Sequence, residues 1–365
     1  MRSVVYSSRN PKIVPNITYL DFNNVLIRPC LSQLSSRKQV NLTRTIKPGE
    51  FPHSKLGWSG VPVIAANMDT IGTFDVFNTM KDFDMVTAFH KFNNLDVLKH
   101  CELDAGYKLE DYTNNFMISI GMRDDDLQRI QEIKAHYNFK MICVDVANGH
   151  MTEFISFCAK VRELFPDKII CAGNVANPDV VRILIEEGKV DIVKAGIGPG
   201  SFCTTRLKTG VGVPQLTNIM DCALAAHDCG GFLIADGGIT CPGDMAKAFA
   251  AGADFVMCGG VFAGHDENPG DIITDDDGKS YKISYGMSSE HAMKKHFGKM
   301  NDYRSSEGRI VKVPYKGPLE HTIRDYLGGV RSTCTYVNAS NITELYDKAE
   351  FIRVTQQINN PFGGK

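Results

Sequence analysis

Short apolar runs recur along the middle of this chain, with glycine, asparagine, aspartate or histidine at or near the end of each. Continuous apolar runs of this length are typical of parallel strands that are buried on both faces. The pattern therefore predicts eight buried strands. The runs occupy residues 61–68, 85–90, 116–121, 141–149, 169–175, 191–198, 231–238 and 254–260.

Segments with helical periodicity lie between these runs. The segment 124–137 opens with three aspartates, which are favourable at a helix N-terminus, and places Leu127, Ile130 and Ile133 on one face. Pro178 and Pro242 predict two helix starts, because proline is favoured in the first turn of a helix. The predicted helices are 124–137, 152–164, 178–187, 215–229 and 243–251.

Eight strands that alternate with helices predict an α/β protein, a (β/α)8 TIM barrel in a single domain of residues 1–365. The alternative is an open doubly wound sheet, but the number of runs and their polar C-terminal ends favour the barrel. Residues 1–60 would precede the first barrel strand. Residues 261–365 would form a C-terminal extension with an active-site flap and cover segments, including an exposed acidic loop at 266–281 and an added strand within 351–358.

Composition excludes several classes of protein. The net charge of −2 over 365 residues offers nothing that would attract nucleic acid or an anionic membrane, and no apolar run reaches the length of about 18 residues that spans a bilayer. The N-terminus lacks a continuous apolar signal segment, so we expect a cytoplasmic protein. The 11 cysteines are scattered and form no CxxC pair, which indicates reduced thiols rather than disulfides or a zinc site.

Two glycine pairs follow the seventh and eighth strands, in ADGGI (235–239) and CGG (258–260). Barrels commonly bind phosphate at these two loops, where glycine lets the backbone approach an anion. The alternative is that the glycines only form turns. Asp236 would repel a phosphate, so it is better suited to ribose hydroxyls, and the two features together indicate a nucleotide.

The segment GIGPGSFCTTR (196–206) places a thiol in a glycine-rich loop after the sixth strand. Cys203 is a candidate nucleophile, since it lies at the catalytic end of a barrel and near Arg206. The alternative is a structural cysteine in a turn. The carbonyl groups around Gly198 and Gly200 are candidate ligands of a monovalent cation.

These residues resemble those of the guanosine monophosphate reductases, in the IMP dehydrogenase/GMP reductase family. Inosine monophosphate dehydrogenases are the nearest alternative, but about two dozen residues separate AFHK from FMISIG, so no CBS modules are inserted. The chain also carries Pro199 and Thr204 where the dehydrogenases usually have serine and isoleucine. The resemblance covers nearly the whole chain through LDFNNVLIRP, IAANMDTIGTF, GIGPGSFCTTR, DGGITCPGDMAKAFAAGADFVMCGG, YGMSSEHAMKKH, YRSSEGRIVKVPYKGPLEHTIRDYLGGVRSTCTY and FIRVTQQ.

The resemblance implies reductive deamination of GMP by NADPH to give IMP and ammonia, in the course of purine nucleotide interconversion and salvage. It implies that Cys203 attacks C2 of the purine to form a covalent thioimidate. Thr205 and Glu307 match the family's pair that manages the proton of the departing ammonia. It also implies a homotetramer in which a neighbouring subunit completes the cofactor site.

The same resemblance implies three sets of binding residues. The GMP set is Asp236, Gly237, Gly238, Gly259, Gly260, Gly286, Met287, Ser288, Arg304, Ser305, Ser306 and Gly308. The NADPH set is Ser36, Arg37, Lys91, Asp145, Val146, Ala147, Ile197, Gly198, Tyr303, Ser332, Thr333, Cys334 and Thr335, in which Arg37 and Lys91 suit a ribose 2′-phosphate. The potassium set is Gly198, Gly200, Cys203 and Arg206.

The sequence departs from the family pattern at two places. Unfamiliar residues follow Lys91, and His150 stands where relatives often have an aromatic residue.

Two alternative functions remain open from the sequence. They are an IMP dehydrogenase that uses NAD and a barrel that only senses purine nucleotides. The combination of Cys203, Thr205 and Glu307 argues against a sensor, because binding alone does not require all three.

Overall fold

Eight parallel strands close into a barrel in this computed structural model, which describes residues 17–289, 292 and 306–355. The last barrel strand pairs with the first, with Val256 opposite Val63 and Cys258 opposite Ala65. The predicted (β/α)8 barrel is confirmed, and the open-sheet alternative is wrong because it would leave these two strands unpaired. The barrel strands are β4 (Val63–Ala65), β5 (Val86–Phe89), β6 (Phe116–Ile120), β7 (Met141–Asp145), β8 (Ile169–Val175), β9 (Ile192–Ala195), β10 (Phe232–Asp236) and β11 (Phe255–Cys258).

Helices connect these strands around the outside of the barrel, and the five predicted ones are confirmed to within one residue at each end. Pro178 and Pro242 each lie in the first turn of their helix, as expected. Leu127, Ile130 and Ile133 are buried on one face of the helix Asp124–His136. The helices are α1 (Phe74–Met80), α2 (Leu95–Ala105), α3 (Asp124–His136), α4 (Thr152–Leu164), α5 (Pro178–Glu186), α6 (Thr205–Thr209), α7 (Gln215–Asp228) and α8 (Pro242–Ala250).

A two-stranded ribbon closes the N-terminal end of the barrel. It consists of β2 (Arg44–Ile46) and β3 (Trp58–Gly60), which pair antiparallel. Trp58 packs edge-on against Phe255, the first residue of β11, with 4.8 Å between the ring centroids. Both rings are buried, so this end of the barrel is covered and the opposite end is the one left for chemistry.

Two buried aspartates hold neighbouring strands together at the same N-terminal end. Asp191, immediately before β9, accepts a hydrogen bond from the backbone N–H of Ile170 in β8 at 2.8 Å and pairs with Arg162. Asp254, immediately before β11, accepts one from Leu233 in β10 at 2.7 Å and pairs with Arg44 at 2.6 Å. Each carboxylate thus satisfies a strand N–H and an arginine in one place.

The flanking segments add strands and helices that the barrel pattern does not include. The outer strands β1 (Val25–Arg28) and β15 (Glu350–Arg353) pair antiparallel, which confirms a strand within the cover segment, although residues 356–358 lie outside the described residues. The predicted acidic loop 266–281 is largely exposed, but it contains one short strand and the start of another, and the turn itself occupies residues 275–279. The remaining elements are β12 (Ile273–Thr274), β13 (Ser280–Tyr285), β14 (Ile310–Pro314), α9 (Leu319–Tyr336) and α10 (Glu344–Lys348).

All 11 cysteines are free, as their scattered positions predict. Across residues 17–289 and 306–355, no helix is both long enough and apolar enough to cross a bilayer.

We expect Asp191→Ala to destabilise the protein by about 3 to 5 kcal/mol, because it leaves the partly buried Arg162 guanidinium without its carboxylate. Equilibrium unfolding in urea measures this difference. Asp276→Ala, in the exposed turn, is the control and should change the unfolding free energy by less than about 0.5 kcal/mol. Equal stability of the two variants would contradict a structural role for this aspartate.

Candidate active site

The loop after β9 holds the thiol of Cys203 at the C-terminal end of the barrel. Gly198 adopts φ +85°, a backbone conformation that residues with side chains rarely adopt. A Cβ atom there would also lie 2.5 Å from Cγ of Arg206, so this position requires glycine. The backbone N–H of Cys203 donates to the carbonyl of Gly200 at 3.0 Å. These constraints keep the thiol at a defined position just before α6.

A distant segment of the chain lies antiparallel to this loop. The backbone N–H of Thr204 donates to the carbonyl of Glu307 at 2.7 Å, and Arg309 donates to the carbonyl of Phe202 at 3.1 Å. Cys203 and Gly308 form an antiparallel bridge between these bonds. Backbone pairing therefore fixes the register of residues 306–309 against the thiol loop.

This register joins three side chains in a row. The thiol of Cys203 donates to Oγ1 of Thr205 at 3.2 Å, and the hydroxyl of Thr205 donates to Oε2 of Glu307 at 2.6 Å. All three are partly buried. The structure thus brings together the three predicted catalytic residues, and the hydrogen bonds provide a path for a proton between sulfur and carboxylate.

The glycine pairs after β10 and β11 face the same loop. Gly237 has φ +83°, and a Cβ atom there would lie 3.2 Å from the backbone nitrogen of Gly200. A Cβ atom on Gly260 would lie 3.0 Å from Oγ of Ser201. The two candidate phosphate loops therefore converge on the segment that carries the thiol.

The predicted GMP residues of the C-terminal extension also reach this place. A Cβ atom on Gly286 would lie 2.9 Å from the carbonyl of Phe202, and one on Gly308 would lie 2.7 Å from the nitrogen of Ser289. The hydroxyl of Tyr285 donates to Oδ2 of Asp69 at 2.8 Å, which attaches the end of β13 to the loop after β4. Met287 and Ser288 follow directly, whereas Tyr303, Arg304 and Ser305 lie outside the described residues.

The predicted cofactor residues divide into two groups. Asp145, Val146 and Ala147 end or follow β7, and Lys91 follows β5. Ile197 and Gly198 belong to the thiol loop. These residues share the C-terminal rim of the barrel.

The second group lies on the side of the barrel near β11 and β4. Ser36 and Arg37 lie in or beside a short 3₁₀ turn that packs against α9, and α9 carries Ser332, Thr333, Cys334 and Thr335. α9 itself packs against α8 and α1. In the order of the eight strands, β7 is four steps from β11 and thus opposite it. One chain therefore does not bring the two groups together.

Two polar residues at the rim were missed by sequence reasoning. Lys194 in β9 is only 2% exposed, and its ammonium donates to Asp145 at 2.7 Å and to Asp236 at 2.8 Å. Asn174 in β8 contacts the same ammonium and donates to Asp236 at 2.8 Å. The sequence feature that could have identified Lys194 is its place inside the apolar run DIVKAGIG, because a buried charge needs a partner.

Burial and charge oppose each other at this cluster. Burial lowers the pKa of Lys194, but Asp145 and Asp236 raise it further, so the net pKa lies well above its usual range. Burial raises the pKa of Asp145, but Lys194 lowers it more, and the net shift is downward. The ammonium and the Asp145 carboxylate are therefore charged at neutral pH.

The candidate potassium residues supply oxygen atoms of the backbone. The carbonyl of Gly200 accepts from Cys203, and the carbonyl of Arg206 accepts from Gly210 at 3.1 Å. Each carbonyl oxygen has a second lone pair for a cation. No group of three or more His, Cys, Asp or Glu side chains suited to a metal occurs among the described residues, so a cation at this loop would rest on carbonyl groups.

A barrel with a thiol, a hydroxyl and a carboxylate aligned at its C-terminal rim has the arrangement of a (β/α)8 enzyme. Residues 19–360 match the family described as the IMP dehydrogenase / GMP reductase domain, and the chain belongs to this family.

Curated relatives within the family are similar over nearly their whole length. GMP reductase 2 of Mus musculus is 51% identical over 350 residues, which cover 96% of this chain and 98% of the relative. GMP reductase of Aeromonas hydrophila is 51% identical over 345 residues, 94% of this chain and 97% of the relative. GMP reductase of Escherichia coli O139:H28 is 49% identical over 344 residues, with the same coverage.

His150 connects two loops beside the cofactor residues. Its Nε2 accepts a hydrogen bond from the backbone N–H of Ala176 at 3.2 Å, and Nδ1 lies 3.1 Å from Oδ1 of Asn148. A neutral ring with its proton on Nδ1 satisfies both contacts. Burial lowers the pKa of His150, which favours this neutral form.

We expect the stabilisation by His150 to be complete above pH ~6.5, the ordinary pKa of histidine, and to be lost as the pH falls toward its lowered pKa. In that interval the unfolded chain binds the proton more readily than the folded one. The Tm of the protein minus that of His150→Ala should therefore shrink between pH 8 and pH 5. A difference that stays constant with pH would contradict this account. His321→Gln, an exposed histidine elsewhere, serves as the control.

Proposed function

We propose that this protein catalyses the NADPH-dependent reductive deamination of GMP to IMP and ammonia. The observation that carries the proposal is the hydrogen-bonded row of Cys203, Thr205 and Glu307 at the barrel rim. The relatives named GMP reductase support it, because they align with nearly the whole chain. The row supplies a nucleophile and a proton path, which are the two things that replacement of an aromatic amine needs.

The thiol solves the problem of a poor leaving group by dividing the reaction into two steps. In the first step, sulfur of Cys203 adds to C2 of the purine, and its proton passes through Thr205 to Glu307. The carboxylic acid then returns a proton to the amine, the C2–N bond breaks, and ammonia leaves a covalent thioimidate on Cys203.

In the second step, C2 would receive the hydride that bound NADPH supplies, and the C2–S bond would break to release IMP and the thiolate of Cys203. The overall balance is GMP, NADPH and two protons giving IMP, ammonium and NADP⁺.

The described members of the GMP set lie in the loops next to the thiol, which supports a nucleotide as the substrate. The backbone around Gly237, Gly238, Gly259 and Gly260 would hold the phosphate, and Asp236 would accept hydrogen bonds from the ribose. Residues 286–288, Ser306 and Gly308 would contact the base beside Cys203. Arg304 and Ser305 complete the proposed set from outside the described residues.

The nicotinamide cofactor would bind at the rim beside Asp145, and the ionised carboxylate of Asp145 fits hydrogen-bond donors of such a group. Arg37 and Lys91 suit the 2′-phosphate that distinguishes NADPH from NADH. Because Arg37 and Ser332–Thr335 lie on the opposite side of the same barrel, we propose that a second subunit supplies them in a homotetramer. A cytoplasmic location and a role in purine salvage stay predictions.

A monovalent cation, potassium, would be held by the carbonyl groups of Gly198, Gly200, Cys203 and Arg206. Neutral oxygens are the ligands that suit an ion of low charge density. The ion would stiffen the loop that carries the thiol.

A paired assay on the purified protein tests the proposal. One sample contains GMP and NADPH, the other IMP and NAD, and nicotinamide absorbance is followed in both. Loss of NADPH with equal release of ammonia supports the reductase, whereas reaction only in the second sample would identify a dehydrogenase. Binding of GMP without reaction in either sample would identify a sensor. Repeats with NADH, and with potassium replaced by a large organic cation, test the cofactor and the ion.

We expect Cys203→Ala to lower kcat by about a thousandfold or more, because no nucleophile remains to displace the amine. GMP affinity, measured by calorimetry, should stay within about threefold, since the sulfur adds little to ground-state binding. Cys229→Ala, a partly exposed thiol between α7 and the start of β10, lies at the other end of the barrel, so this variant is the control and should keep its activity. A Cys203 variant that still released ammonia would disprove the covalent step.

We expect Glu307→Gln to lower kcat by about 10²- to 10⁴-fold, because an amide neither accepts the thiol proton nor returns one to the amine. Single-turnover release of ammonia measures this step directly. Glu163→Gln, an exposed carboxylate on α4, provides the matched control. If ammonia release by the Glu307 variant were unchanged, the proposed proton path would be wrong.

A further inference from the structure

The ammonium of Lys194 lies between the two binding sets. Its three acceptors are Asp145 at the end of β7, Asn174 in β8 and Asp236 at the end of β10. An ammonium has three N–H donors, so each of them has one partner. Asp145 belongs to the proposed cofactor set and Asp236 to the proposed GMP set, whereas Lys194 and Asn174 belong to neither.

The neighbouring strand approaches Lys194 closely. A Cβ atom on Gly173 in β8 would lie 2.3 Å from the backbone carbonyl oxygen of Lys194 and 2.8 Å from its Cβ, so glycine at 173 allows β8 and β9 to pack together at this point. Asn174 adds a second connection, since its amide donates to Oδ2 of Asp236 and to the carbonyl of Gly196, each at 2.8 Å. The four polar residues therefore lie on four consecutive barrel strands and form one connected network.

Both carboxylates contact the ammonium and are also partly exposed. The side chains of Asp145 and Asp236 are 27% and 19% exposed, so one side of each is open toward the rim while the other side contacts the ammonium. Without the cation, two partly buried negative charges would face each other and repel. Each would then rotate toward water and leave the orientation in which it meets its ligand.

We propose that Lys194 is a positioning residue that orients Asp236 toward GMP and Asp145 toward the nicotinamide cofactor at the same time. This inference rests on the proposed function, because that function assigns the two carboxylates to the two ligands. It predicts that one substitution, at a residue that touches neither ligand, weakens the binding of both.

Lys194→Met tests the proposal, because methionine keeps the length and apolar character of the side chain and removes the charge. We expect KM for GMP and KM for NADPH each to rise at least about fivefold in the full-length enzyme. We also expect the affinities for GMP and for NADP⁺, measured separately by calorimetry, to fall by similar factors. Lys194→Arg keeps the charge with a different donor geometry and should restore part of both affinities.

Lys168→Met is the matched control at the other end of the barrel. Lys168 lies immediately before β8 and is 8% exposed. Its ammonium donates to Oδ1 of Asn138 at 3.2 Å and to the carbonyl of Phe139. Loss of this buried ammonium should lower Tm and leave both KM values within about twofold. The comparison separates an effect on ligand orientation from a general loss of stability.

Each outcome decides the inference. A folded Lys194→Met enzyme in which both KM values stay within about twofold, or in which only one rises, would overturn it. If Lys194→Met does not fold, Lys194→Gln replaces it, because glutamine also removes the charge, and unchanged KM values for GMP and NADPH in this variant would equally overturn the inference. Failure of the unsubstituted protein to consume NADPH with GMP would instead overturn the proposed function, before any variant is compared.

Discussion

The pairing of β11 with β4 is the constraint on which the rest of the molecule depends. It closes the sheet, so that the C-terminal ends of all eight strands meet at one rim rather than along a line. Asp145, Lys194 and Asp236 then face each other across short distances although 91 residues separate the first from the last. The aromatic contacts and buried aspartates at the N-terminal end support this closure without taking part in the site.

The site itself depends on a second long-range contact, between the thiol loop and residues 306–309. Backbone hydrogen bonds on both sides of Cys203 set the register, and the register places Glu307 against Thr205. Glycine at 308 is required because a side chain there would strike the backbone of Ser289. The chemistry of the thiol is therefore controlled by a segment that lies about 100 residues further along the chain.

The buried runs revealed the barrel because strands covered on both faces must be apolar throughout. The prolines and the aspartates predicted where helices begin, because both residue types are favourable in the first turn of a helix. The helix α9 was not predicted, because the repeat of strands and helices ends at residue 260 and provides no pattern for the C-terminal extension. Lys194 is a charged residue within an apolar run, which indicates that it has a charged partner, but the run does not show which carboxylates neutralise it.

The sequence by itself determined the (β/α)8 class, the family and the position of the thiol loop, because short contiguous sequence patterns are enough to predict each of them. Only the tertiary structure decided that Glu307 lies within hydrogen-bonding distance of Thr205, that one ammonium joins Asp145 to Asp236, and that the cofactor residues fall on opposite sides of one barrel. The physical reason is that local spacing constrains neighbours within an element, whereas the meeting of distant side chains follows from strand register and barrel closure.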